Sequence, residues 1–105
     1  MLTTGKNKEQ FEKWYIKEFC NDISFMLYND EIKVFKSLHF EMQLGVYLAY
    51  YDSKGYRVTI NYVDVFGWYF KIHLDKVYIP IQSNFKTRKE AEKEALKQAD
   101  KLMNK

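Results

Sequence analysis

The sequence predicts an α+β domain whose helices pack on one face of a three-stranded antiparallel meander, in the order α-α-β-β-β-α. Three observations lead there. Tyr56, Val58, Ile60 and Tyr62 alternate with Arg57, Thr59 and Asn61, and Trp68, Phe70, Ile72 and Leu74 alternate with Tyr69, Lys71 and His73. A period of two marks a half-buried strand. Phe11, Trp14, Tyr15 and Phe19 recur on one face of a helix, and Thr87-Arg88-Lys89-Glu90 has the form of a capping box ahead of an apolar stripe. With 105 residues, one domain is expected; 18% aromatics supply the apolar area that a short chain needs to offset its conformational entropy.

In chain order, Met1–Asn7 is expected to be loose, as is Met103–Lys105. The first helix is predicted from Lys8 to about Cys20, with Asn7 as its N-cap and Gln10 three residues on. Residues 21–36 stay open: Ile23, Phe25 and Leu27 suit a short strand, whereas Ile32 and Phe35 suit a helical turn. Ser37–Gly55 reads as a helix, with Phe40, Leu44, Tyr47, Leu48 and Tyr51 as its stripe and Ser37 as its cap. The alternative makes residues 44–51 a fourth strand, joined to Tyr56–Val63 by an Asp52-Ser53-Lys54-Gly55 loop. After the two alternating runs, Asp75-Lys76 is expected to turn the chain into a third strand through Val77, Ile79 and Ile81. Pro80 has no N–H to give a ladder, so that strand should be an edge, or Pro80 should sit on its unpaired side. The last helix follows Thr87 and buries Ala91, Ala95, Leu96, Ala99, Leu102 and Met103.

Catalytic chemistry does not announce itself, and a non-enzyme is expected. His39 and His73 have no Cys or second His at a ligand spacing, so neither a metal nor a cofactor is expected. No glycine-rich phosphate loop is present. Cys20 is the only cysteine, so no internal disulfide marks an oxidising compartment. The longest apolar run, Leu44–Tyr51, is far shorter than the about 20 residues that a bilayer requires. No membrane segment and a cytoplasmic location are therefore expected.

Two surfaces have a claim to function. The formal charge is +3, and residues 86–105 supply all of it, with seven basic groups against four acids. Lys89, Lys93, Lys97 and Lys101 recur every four residues as a stripe that could face phosphates. The same stripe could be a solvated face partly neutralised by Glu90–Lys93 and Glu94–Lys97 pairs. The second surface is the polar side of the sheet, where Arg57, Tyr69, Lys71, His73, Tyr78 and Gln82 collect, with Phe66 on an apolar tip between strands. Aromatic and basic groups together suit either stacked bases or a protein partner.

Gly55-Tyr56-Arg57-Val58 and Phe85-Lys86-Thr87-Arg88-Lys89-Glu90-Ala91-Glu92 resemble the arm-binding or AP2-like β-β-β-α module of phage integrases. In that family the sheet enters the DNA major groove, which implies DNA contacts for Arg57, Lys71 and Tyr69. Ser37–Tyr47, with Tyr50-Tyr51-Asp52-Ser53-Lys54-Gly55 and the terminal Thr-Arg-x-Glu-Ala helix, is similar to small phage or prophage proteins of gut bacteria. That likeness implies an origin rather than an activity. The expectation is a non-enzymatic accessory protein that works through a protein-binding or self-associating surface. The alternative is a nucleic-acid-binding module using the sheet face and the basic helix.

Overall fold

A computed structural model describes residues 2–19, 25–75, 77 and 79–105. They form α1 (Gly5–Phe19), α2 (Phe25–Ser37), α3 (Phe40–Ser53), β1 (Tyr56–Val63), β2 (Gly67–Leu74), β3 (Gln82–Phe85) and α4 (Arg88–Met103). The α+β class and the antiparallel sheet are as expected, and α2 occupies much of the stretch the sequence left open. Its buried residues Ile32 and Phe35 lie three apart, on one side of a helical turn. Residues 21–24 and Cys20 lie outside the described residues.

Residues 44–51 are helical, so the fourth-strand alternative falls. Leu44, Tyr47 and Tyr51 share one buried face of α3, joined by Tyr50. Ser37 does not cap this helix. Its hydroxyl donates to the Val34 carbonyl at 2.7 Å, closing α2, and α3 begins after His39. The two helices are tied at this corner, because Gln43 Nε2 donates to the Phe35 carbonyl at 3.0 Å.

The described start of the chain is hydrogen-bonded to the last helix, and Asn7 lies inside α1 rather than capping it. α1 starts at Gly5, and the Thr4 carbonyl accepts from Lys8 N–H. Asn7 points inward and is fully buried. Its amide donates to Tyr51 Oη at 2.9 Å and to Asp100 Oδ1 at 2.8 Å, and its Oδ1 accepts from the Tyr50 hydroxyl at 2.7 Å. Thr4 donates to Asp100 through both N–H (2.9 Å) and Oγ1 (2.6 Å). Past α4, Asn104 accepts from Asn7 N–H at 3.0 Å and donates to the Thr4 carbonyl at 2.9 Å. Both ends of the chain are thus fastened to each other.

The sheet has the order β1-β2-β3, so β2 is central. β1 and β2 pair in unbroken register from Tyr56↔Leu74 to Val63↔Gly67. The third strand lies later than Val77–Ile81. Val77 makes a single bridge to Leu74, Ile79–Ile81 lie outside any strand, and β3 pairs only through Phe70↔Gln82 and Trp68↔Phe85. Pro80 therefore sits in a connecting strap rather than in a ladder.

The helices cover the inward side of the sheet. Phe70 and Ile72 are buried there beneath Ala95, Leu96 and Ala99 of α4, whose small side chains let the helix approach closely. Beyond this layer lies an aromatic cluster centred on Phe11. Its ring lies 4.8 Å from Tyr47, 5.2 Å from Tyr50 and 5.3 Å from Phe35, centroid to centroid.

Candidate interaction surface

Alternation along β1 and β2 turns Arg57, Thr59, Lys71 and His73 to the face away from the helices, where all four are exposed. The register sets Arg57 opposite His73, Thr59 opposite Lys71, and Asn61 opposite Tyr69. Arg57 and Lys71 are consequently diagonal neighbours on one face. Among the described residues neither forms an ion pair; the pair that does form joins Arg88 to Glu92 at 3.3 Å on α4. Gln82 pairs with the inward Phe70 and so leaves the outer row in which the sequence placed it. Tyr78 lies outside the described residues.

The strap gives this face its relief. A trough of about 710 Å³ runs between Arg57, Thr59, Lys71 and His73 on the strands and Val77, Ile79 and Ile81 on the strap. A second hollow of about 410 Å³ continues it to the hairpin tip, lined by Val63, Phe66, Tyr69 and Ser83. Lys71 and Ile81 border both hollows, so these two side chains stand between them along the outer groove. Val77 is 51% exposed and Ile81 53%, so one wall is apolar and open to water. Sequence reasoning assigned these residues to the apolar side of a third strand and missed them as surface. The only signal was Pro80, which argues against a regular ladder there.

The tip adds Val65, 80% exposed, and Phe66, 57% exposed. It is held by Gly67, whose φ of +71° suits glycine, and by Asn84 N–H donating to the Phe66 carbonyl at 2.9 Å. Tyr62 sits beside Trp68 with ring centroids 5.4 Å apart, leaving Tyr62 55% exposed.

The lysine stripe lies elsewhere. α4 packs on the inward side of the sheet, so its lysines belong to the helical layer and not to the outer face. Lys89 and Lys93 reach over the Phe40 ring of α3, with Nζ 5.8 Å and 5.4 Å from its centroid. Their stems and charges cover that aromatic, a cation–π arrangement that a structural role explains. All four lysines of the stripe are exposed. The expected Glu90–Lys93 and Glu94–Lys97 pairs are not among the described ion pairs. Glu90 instead accepts from Lys86 N–H at 3.2 Å, and Glu94 accepts from Gln98 Nε2 at 2.8 Å. The Thr87 half of the capping box does form, with Glu90 N–H donating to Thr87 Oγ1 at 3.2 Å.

Among the described residues, no group of three or more His, Cys, Asp or Glu side chains is placed to hold a metal ion. Nor is any described helix long and apolar enough to cross a membrane. His39 stands at the start of α3 and His73 on the outer face, on separate elements. No protein-family model, curated protein or solved structure matches the chain, so the reading of this surface rests on its own geometry.

Proposed function

We propose that this is a non-enzymatic accessory protein that holds a protein partner on the outer face of its sheet and on the adjoining hairpin tip. The observation that carries the reading is the exposed apolar set, Val65, Phe66, Val77 and Ile81, beside Arg57 and Lys71, which form no ion pair among the described residues. Small soluble domains rarely leave such a patch open without a use, and aromatic and arginine side chains are favoured at protein interfaces. The likeness to small phage or prophage proteins suggests a setting on a mobile element. A nucleic-acid reading draws on the same Arg57 and Lys71 and on the four exposed lysines of α4, the helix packed on the other side of the sheet.

The test is site-specific photo-cross-linking in the cells that encode the protein. A cross-linker at Phe66 or Lys71 should give a discrete protein adduct, and one at Lys101 should not. Adducts to nucleic acid, or retardation of DNA or RNA that weakens steeply with salt, would favour the alternative.

A further inference from the structure

The groove has a chemical polarity that specifies more than a generic contact. One wall carries two exposed cations without carboxylate partners among the described residues, Arg57 and Lys71. The other carries Val77 and Ile81, each about half exposed. The register makes the two cations diagonal neighbours, a separation of roughly 7–8 Å on a sheet face. Alternate residues of an extended peptide project to one side about every 6.6 Å, nearly the same interval. The groove also follows β2, whose eight residues span roughly 26 Å at about 3.3 Å each. An open trough lying along a strand suits a chain better than a compact small molecule.

We infer that the outer groove binds an extended acidic peptide segment of a partner protein, with carboxylates at alternate positions meeting Arg57 and Lys71 and apolar residues between them lying against Ile81 and Val77. This deepens the protein-binding reading and rests on it. Charge selects the occupant: Arg57 and Lys71 line the groove with no Asp or Glu among its described lining residues. Asp52 and Asp75 line a separate hollow on the far side of Arg57, so a basic segment meets like charge in the groove. The strap's apolar wall supplies the burial that a purely ionic contact at a wet surface lacks.

The probe is a fluorescein-labelled peptide of alternating glutamate and leucine, as long as β2, followed by fluorescence anisotropy. It should bind saturably to the intact protein. Arg57→Glu and Lys71→Glu should each weaken it about tenfold, and the double variant should prefer a lysine–leucine peptide of equal length. Ile81→Ser should weaken binding without reversing that preference, and Lys97→Glu should leave it unchanged. Because every substituted side chain here is exposed, equal melting temperatures will show that the fold survives. Absence of binding, binding indifferent to the Arg57 and Lys71 reversals, or tighter binding of a labelled oligonucleotide would overturn the inference. If outer-face cross-links to protein form while the peptide fails, the acidic chemistry falls and the surface stands. If both fail, the surface itself falls.

Discussion

Asp100 shows what one side chain can hold together. It is 7% exposed, yet its two oxygens accept from Thr4 N–H, Thr4 Oγ1, Asn7 Nδ2 and, at 3.2 Å, Asn104 Nδ2. An ionised carboxylate offers only acceptors, so four converging donors fit it without conflict. It also stands at the start of α1, where the helix dipole favours negative charge. Asp100→Asn turns an amide NH₂ toward those donors. Chemical denaturation should show a loss of about 3 kcal/mol, and amide exchange over residues 4–8 should speed up. The neighbouring tyrosines give a second test. Burial pushes the hydroxyls of Tyr47 and Tyr50 up to about 12 from an ordinary value of 10.0, and that of Tyr51 higher still. Below pH 10 both native and unfolded chains keep these protons. Between pH 10 and 12 the unfolded chain releases them and the native chain does not, so stability falls as pH rises through that window. Melting temperature should be flat with respect to these groups below pH 10 and drop above it. Tyrosinate absorbance of the native protein should show Tyr47, Tyr50 and Tyr51 ionising late.

At the scale of elements, the β1–β2 hairpin depends on Gly67. Its φ is +71°, and an added Cβ would stand 3.0 Å from the Phe85 carbonyl oxygen. Gly67→Ala therefore meets both left-handed strain and a backbone contact where β3 joins β2. It should cost about 2 kcal/mol by denaturation, and NMR should show the largest shifts at Trp68 and Phe85. Much of this level was legible beforehand. Strict alternation over 56–62 and 68–74 has few explanations other than strands, and the Thr87 cap with its alanine stripe has few other than a helix. The strap was illegible because Val77, Ile79 and Ile81 alternate like a strand, and periodicity alone does not report whether a partner strand is within reach. The N-terminal segment was illegible for a different reason. Its residues are polar and lysine-rich, and it is ordered by hydrogen bonds to Asp100 and Asn104, more than ninety residues away. No local pattern encodes such a contact. The same limit applied to the candidate surface: the exposed placement of Arg57, Lys71 and Phe66 followed from alternation and turn position, whereas the groove's apolar wall required the strap to leave the sheet.

The two sides of the sheet differ in burial across the described molecule. Inward side chains carry stability: Phe70 is 1% exposed and its ring lies 5.8 Å from Phe85, centroid to centroid. Outward side chains contribute apolar area that water still reaches, so removing it forfeits little burial. A paired comparison follows. Phe66→Ser with Ile81→Ser should move folding stability by no more than about 0.5 kcal/mol each, while the binding of an apolar fluorescent dye to the native protein falls. Phe70→Ser places a hydroxyl in a dry core and opens a cavity, with an expected loss of about 4 kcal/mol or more. Urea titrations of the two variants measure the contrast directly. Equal destabilisation would mean that the outer groove is part of the fold's support, and the division of labour between the faces would be wrong. Unchanged stability with lost dye binding would leave the outer face free to be shaped by a partner, because its residues can vary without loosening the helices behind them.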